Sequence, residues 1–402
     1  MASERVTSFN VPREPYLKLF WRFLKFGLLA WGGPVAQIAM IRQELVDEKK
    51  WISNERFNRV LAVYQVLPGP EAHELCVYFG MLSRGRMGAF LAGLAFMLPG
   101  FLLMFALSWF YVAYGITSPL FQATFLGMQP AVAALIVRAV HRIGGHALHT
   151  NRWLWGIAVL AGIAQLLGVN FLIILLVAGM MYALAQREKQ KWAMGIGIGF
   201  TAWVLATALR WIPSLALQPA SSLTSAGSPT PGSLLLSGLR AGLLTFGGAY
   251  TAIPFLQHDA VEIGGWLTNA QFLDGLALSG LLPAPLIIFS TFIGYLGGGS
   301  LGAIAITLGI FAPAFAFTMI GHEFVERLVE NTAVHAFLDG VTAGVVGLIA
   351  ATALGILSET LIGIHAWVIF ALGLLTLFQS KAKWTIAAVI LSAGIYGLIF
   401  LR

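Results

Sequence analysis

Residues 25–34 read KFGLLAWGGP, and residues 240–249 read RAGLLTFGGA. Both stretches belong to a gapless match of residues 25–70 with residues 240–285, in which 15 of 46 pairs are identical. The paired positions, continued after a single deletion, include Trp51/Trp266, Pro68/Pro283, Pro70/Pro285, Gly88/Gly302 and Pro99/Pro313. Apolar sequence of low complexity does not align Trp, Pro and paired Gly in order, so the chain contains an internal repeat.

The composition is that of a membrane protein. Of 402 residues, 58% are hydrophobic and only 10% are charged, and the mean hydropathy is +0.83. Soluble domains carry about 25% charged residues, so a cytosolic globular enzyme and a disordered chain are both excluded. Because Cys76 is the single cysteine, an internal disulfide and a metal site with four thiolate ligands are excluded.

Apolar stretches recur along the whole chain. Windows of about 19 residues predict thirteen hydrophobic segments, near 17–41, 57–82, 87–114, 120–140, 152–168, 169–186, 192–212, 234–256, 271–297, 301–320, 334–356, 360–378 and 383–400. We expect an all-α polytopic membrane protein with an N-terminal tail (1–16), a first repeat (17–212), a Pro/Ser-rich linker (213–233) and a second repeat (234–402).

Charge gives the orientation of the repeats. The loop 42–59 carries five Lys or Arg residues, whereas the matching loop 257–274 carries none. Cytoplasmic loops are enriched in basic residues, so the two copies are predicted to have inverted topology, as in many transporters. The basic surplus behind the net charge of +7 lies in residues 1–212. Loop topology explains it, and we expect no nucleic-acid partner and a cytoplasmic N-terminus.

Four segments contain helix-breaking sequences. These are WGGP at 31–34, LPGP at 67–70, FGG at 246–248 and LPAP at 282–285. If the four segments carrying them (17–41, 57–82, 234–256 and 271–297) enter and return on one side, every basic loop is cytoplasmic, so we predict broken or re-entrant helices. A helix that begins inside the membrane offers free N–H groups and a positive dipole end to an anion. Close helix packing through small residues is the alternative role of the glycines.

Several ionisable residues lie in or beside apolar segments. Lys25 and Arg240 occupy equivalent positions and are candidates for attracting a dianion, or for snorkelling to the interface. Glu71, His73 and Glu74 cluster after a break, which is consistent with proton coupling, a metal site or an aqueous rim. Asp274 and Asp339 are candidate buried acids. No phosphate-binding GxxxxGK[ST] motif occurs, so we expect no internal ATPase.

Taken together, FGLLAWGGPVAQIAMIRQELVDEKKW, LPGPEAHELCVYFG and GLLTFGGAYTAIPFLQHDAVEIGGWL resemble the chromate ion transporter family in its long two-domain form. The resemblance implies a secondary transporter of the bacterial inner membrane that exports chromate and confers chromate resistance. It also implies no cofactor. The motif positions it carries over are Gly32, Gly33, Pro34, Pro68, Gly69, Pro70, Gly247, Gly248, Pro283 and Pro285.

The chain departs from the family pattern in two places. Gln37 stands where many members have His, and the second copy reads Pro-Ala-Pro at 283–285 where others read Pro-Gly-Pro. Both departures concern anion selectivity. Uptake of sulfate or another oxyanion is therefore an alternative function, with sulfate as a competitor of chromate. A membrane-embedded enzyme is a further alternative, although no nucleophile–base pair or metal set supports it. The oligomeric state is open, with a homodimer as one alternative.

Overall fold

The structure is a computed structural model that describes residues 11–115, 118–187, 189–215, 229–246, 248–380 and 382–401. Within these ranges the chain is helical and contains no strand. The first half forms α1 (Tyr16–Leu28), α2 (Gly33–Arg42) with a π-helical turn (Gln43–Glu48), α3 (Asn54–Val66), α4 (Glu71–Phe110) with a π-helical turn (Tyr111–Gly115), α5 (Pro119–Ala147), α6 (Arg152–Leu166), α7 (Phe171–Gln186) and α8 (Gln190–Leu215).

The second half repeats this order without a counterpart of α8. It forms α9 (Pro231–Leu243), a 3-10 turn (Ala249–Ala252), α10 (Ile253–Gln257), a π-helical turn (His258–Ile263), α11 (Asn269–Gly280), a 3-10 turn (Leu286–Ile288), α12 (Phe289–Glu330), α13 (Thr332–Thr360), α14 (Gly363–Gln379) and α15 (Thr385–Phe400). Helix α9 starts and ends 215 positions after α1, which is the displacement of the sequence repeat. Within the predicted linker 213–233, α8 continues to Leu215 and α9 begins at Pro231, and residues 216–228 lie outside the described ranges.

Each of the four interrupted segments is divided into two helical pieces at the predicted break. Helix α1 has 13 residues, a rise of about 20 Å, which is too short to cross a hydrocarbon core of about 30 Å. After α2 the chain has turned back towards α1, as shown by the hydrogen bond that Arg22 on α1 donates to Glu44. In the second copy Asp259 meets Ser237 of α9 in the same way. Both stretches therefore fold back on themselves as helical hairpins, which is the geometry that the predicted re-entrant segments need.

A second reversal lies inside α4 and inside α12. Arg84 and Gly85 leave helical geometry, with Gly85 at φ +61°, a conformation that favours glycine. Beyond the turn the two arms pack so closely that a Cβ on Gly80 would overlap the Gly88 carbonyl oxygen. In the second copy Gly299 has φ +60°, and Gly294 and Gly302 make the matching contact. Glycine spacing therefore fixes the same tight hairpin in both repeats.

The repeats contact each other reciprocally. A Cβ built on Gly69 would lie 3.3 Å from the Ala314 Cβ. The equivalent residues in the other repeat, Ala284 and Gly100, make the same contact, since a Cβ built on Gly100 would lie 2.5 Å from the Ala284 Cβ. Helix α5 packs on α14 and α15, while its counterpart α13 packs on α6 and α7. A reciprocal, isologous contact implies a two-fold relation. Together with the opposite loop charges, this is the arrangement of inverted-topology repeats.

Four helical stretches of the described chain are long and apolar enough to cross a membrane: Glu71–Gly115, Pro119–Ala147, Leu286–Ile320 and Thr332–Thr360. Four shorter apolar helices accompany them, Arg152–Leu166, Phe171–Gln186, Gly363–Gln379 and Thr385–Phe400. Large apolar side chains such as Trp192, Ile320 and Ile362 lie more than two-thirds exposed on the outer surface, where lipid is a suitable neighbour. The chain is therefore an all-α polytopic membrane protein.

Candidate functional site

A cavity of about 790 Å³ lies where both repeats meet on one side of the molecule. The first repeat contributes the start of α2, the end of α3, the start of α4 and the end of α5. The second repeat contributes Gly248 and the start of α13. Among the residues named from the sequence, Pro34, Glu71, Gly248 and Asp339 line the cavity. The cavity is large enough for a hydrated oxyanion.

The start of α2 faces this cavity through Pro34 and Val35. Gly32 caps the helix in a left-handed conformation (φ +89°), and Gly33 follows at φ +78°. A side chain would strain both positions, which explains the glycine pair. The first N–H groups of a helix have no partner within it. Helix α2 therefore presents unpaired donors and a positive dipole end to the cavity, a combination that suits an anion.

Two arginines approach the same place from α5. Arg138 and Arg142 lie one helical turn apart, and both are partly buried. The guanidinium carbon of Arg142 lies 5.4 Å from the centroid of the Tyr250 ring, a cation–π distance that holds the side chain in place. In the part of the chain that the structure describes, neither arginine has a carboxylate within ion-pair distance. Their charge is therefore available to a ligand.

The sequence alone does not single out these two arginines, because loop topology accounts for the basic surplus of residues 1–212 as a whole. One signal was present: Arg138 falls inside the predicted hydrophobic segment 120–140. A cation within a hydrophobic segment is costly unless it faces a cavity or a partner.

Lys25 and Arg240 do not line this cavity. Lys25 Nζ lies 3.8 Å from Glu44 Oε2, and Arg240 Nη1 lies 3.2 Å from Asp259 Oδ1. Glu44 and Asp259 are themselves equivalent in the repeat, so the ion pair is preserved in both copies. The two cations each link the arms of a re-entrant hairpin.

The Glu71, His73 and Glu74 cluster is divided between water and the protein interior. Glu71 reaches the cavity, although it is only 9% exposed, whereas His73 and Glu74 are fully buried. The His73 ring lies against Phe311 and Phe315, with centroids 4.9 and 4.7 Å away. Neither ring nitrogen of His73 and neither carboxyl oxygen of Glu74 has a hydrogen-bond partner among the described residues. Of the three residues in this cluster, Glu71 alone lies at a rim that water can reach. No metal-binding group of three occurs among the described residues.

The remaining predicted positions shape the breaks. The Gly69 N–H donates to the Thr245 carbonyl oxygen across the repeat interface (2.9 Å), next to Pro68 and Pro70. Pro283 and Pro285 are buried at the equivalent break of the second copy. Gly247 lies outside the described residues. The Gln37 side chain donates to the Ala30 carbonyl oxygen (2.9 Å), which would otherwise be unpaired at the first break.

Asp274 belongs to a separate buried cluster. It accepts hydrogen bonds from Tyr111 (2.7 Å) and Gln129 (3.0 Å). Because Asp274 comes from the second repeat and its donors come from the first, the cluster joins the two halves. Asp339 instead lines the cavity, 3.7 Å from His335.

Among the described residues, several counterparts of this cavity's lining in the other repeat are enclosed by protein. Val35, Ile38 and Ala62 line it. Their counterparts at a displacement of 215 are Tyr250, Ile253 and Ala277, and all three are buried. The inverted copy of the cavity is therefore closed.

Comparison with known proteins agrees with this architecture. The family model described as "Chromate transporter" matches residues 17–184 and 232–398, one match for each repeat. A "Chromate transport protein" of Pseudomonas aeruginosa is 54% identical over 98% of this chain and 95% of its own length. A "Probable chromate transport protein" of Synechococcus elongatus is 29% identical over 94% of both chains. A "Chromate transport protein" of Cupriavidus metallidurans is 29% identical over 97% of this chain and 94% of its own. No solved structure matches.

Proposed function

The chain belongs to the chromate transporter family, and from this premise we propose that it exports chromate across the bacterial inner membrane and so confers chromate resistance. The observation that carries the proposal is the meeting of Arg142 with the start of α2 in one cavity. Chromate is a tetrahedral dianion with four acceptor oxygens. A guanidinium and free helix N–H groups are the donors that such an ion requires.

We assign the contacts as follows. Arg142 and the free N–H groups in the first turn of α2, after the break formed by Gly32, Gly33 and Pro34, bind the anion, and Gly248 leaves room for it. Arg138, one turn before Arg142 on α5, adds positive charge. Pro68, Gly69, Pro70, Gly247, Pro283 and Pro285 hold the helix breaks, and Lys25 and Arg240 brace the hairpins while raising the local anion concentration.

The direction of transport follows from charge. The cavity is lined by the end of α5 and the loop behind it, which the positive-inside rule assigns to the cytoplasm together with the N-terminus. Moving one charge across 100 mV is worth about 2.3 kcal/mol. A dianion leaving an inside-negative cell is therefore favoured by about 4.6 kcal/mol, so export needs no chemical energy source.

Inverted repeats supply the means of transport. If the two halves exchange conformations, the present cavity closes and its counterpart opens to the other side.

Ala62 lines the cavity and its counterpart Ala277 is fully buried. In a Cys76→Ala background, Ala62→Cys is expected to react with an impermeant maleimide only from the cytoplasmic side. Ala277→Cys is expected to react from the opposite side, and its rate should change when chromate is added. Labelling of both positions from the same side would contradict the exchange.

The proposed function is tested by chromate flux in inside-out vesicles that contain the protein. Accumulation driven by an inside-positive potential, absent from vesicles carrying Arg142→Gln, supports export. Excess sulfate as competitor measures selectivity. Sulfate movement without any potential-dependent chromate movement would overturn the substrate assignment, although the fold would be unaffected.

A further inference from the structure

A carboxyl group within an anion-binding cavity needs an explanation. Glu71 lines the same cavity as Arg142, within range of the charge of that guanidinium although not within ion-pair distance of it. A carboxylate at this position repels an incoming dianion and competes with it for Arg142. Glu71 opposes the proposed function unless its charge is removed when the anion binds.

The surroundings of Glu71 favour removal of charge by a proton. Only 9% of Glu71 is exposed, so water stabilises its carboxylate poorly once Arg142 has turned to the anion. Glu74, one turn further along α4, is fully buried without a hydrogen-bond partner in the described part of the chain, and it lies within electrostatic range of Glu71. A second negative charge there would raise the cost of an ionised Glu71.

We propose that Glu71 is a proton-binding site whose occupancy is linked to anion occupancy at Arg142. Without anion, the positive charge of Arg142 across the cavity partly offsets the negative charge of the Glu71 carboxylate. When the dianion takes Arg142, a Glu71 carboxyl oxygen binds one proton from the cavity water, and that proton returns to water when the anion leaves. Because such coupling is reciprocal, anion affinity rises as the pH falls. This inference rests on the proposed function and adds the proton as a partner.

Other ionisable groups near Glu71 must be separated from it. They are Arg138 and Tyr250 beside Arg142, His146 and His149 at the end of α5, His335 and Asp339 on α13, and His73 behind Glu74 on α4. The histidines at the cavity are also able to bind a proton, so proton uptake by itself does not identify the site. Variants of single residues are needed.

The test is calorimetric titration of the purified full-length protein with chromate at slightly alkaline pH, where chromate is a dianion. Two buffers of different ionisation enthalpy give the number of protons bound per anion. We expect about one proton for the wild type, near zero for Glu71→Gln, and no change for Glu55→Gln, an exposed carboxyl on α3 outside the cavity. Affinity should tighten up to about tenfold per pH unit lowered in the wild type and stay constant in Glu71→Gln.

The outcomes distinguish failure of the proton linkage from failure of the proposed function. Chromate binding by Glu71→Gln shows that the variant is folded. Binding by the wild type without proton uptake, or uptake that survives Glu71→Gln and disappears in His149→Gln or His335→Gln, overturns the linkage and leaves export standing. Absence of chromate binding by the wild type overturns the proposed function itself.

Discussion

Replacement of Arg142 by glutamine is the most direct test of the anion site. The side chain is partly buried, is held against Tyr250 at 5.4 Å and has no carboxylate within ion-pair distance in the described part of the chain, so its charge is free for the ligand. A hydrogen bond to a charged group contributes about 1.5–3 kcal/mol, and about 1.4 kcal/mol corresponds to tenfold in affinity. We therefore expect the Kd of chromate to rise about 10- to 140-fold. The open cavity places the expected value in the lower half of that range.

The assay is equilibrium binding of chromate to the purified protein, followed by vesicle flux. Arg142→Lys keeps the charge but loses the planar fork, so its Kd should lie between those of the wild type and Arg142→Gln. Arg152→Gln is the matched control, because Arg152 is exposed at the start of α6 and does not line the cavity. Equal weakening by Arg142→Gln and Arg152→Gln would refute a specific contact and leave only a general effect of positive charge.

Three further predictions concern the scaffold. Gly27→Ala should destabilise the protein by about 1–3 kcal/mol, measured as thermal unfolding in detergent, because a Cβ there overlaps the Phe96 carbonyl oxygen; Gly156→Ala, with open space around it, should not. Tyr111→Phe should cost about 1–3 kcal/mol of stability by removing a donor from buried Asp274, while the Kd of chromate stays unchanged; a weaker Kd would contradict the separation of this cluster from the cavity. The hydrogen bond to Glu262 raises the pKa of His258, so this pair stabilises the fold at acidic pH and loses its effect as pH rises through that pKa. His258→Gln should therefore lower the unfolding temperature at acidic pH and leave it unchanged at alkaline pH.

The breaks and the repeat could be predicted from sequence because they depend on local chemistry. Glycine at a left-handed φ and proline at a helix start act through their own backbone, and Gly32, Gly33 and Gly85 have the positive φ that only glycine adopts readily. The displacement of 215 positions relates α1 to α9 without adjustment. The hairpins then followed from loop charge, a property that the sequence displays directly.

The site was less accessible to sequence reasoning because long-range contacts create it. In the sequence, Arg142 cannot be distinguished from the basic residues of a loop. Its position becomes informative only when the fold places α5 beside Tyr250 of the other repeat. Glu74 and Glu71 are chemically identical and three residues apart, yet only Glu71 meets the cavity. Which of them is enclosed depends on α12, whose Phe311 and Phe315 cover this end of α4 at His73. Neither the contact of Arg142 nor the burial of Glu74 can be predicted from the spacing of residues in the sequence.

Under the proposed function, departures from the repeat favour one direction of transport. The counterparts of α5 residues in α13 lie 213 positions later, so Arg138 and Arg142 correspond to Ala351 and Gly355. When the two halves exchange conformations, the newly opened cavity contains no equivalent pair of cations. A dianion is then attracted strongly on the side of the arginines and weakly on the other. Because release requires weaker binding than capture, the asymmetric arginines favour capture on their own side of the symmetric scaffold, the side that the proposed function assigns to the cytoplasm.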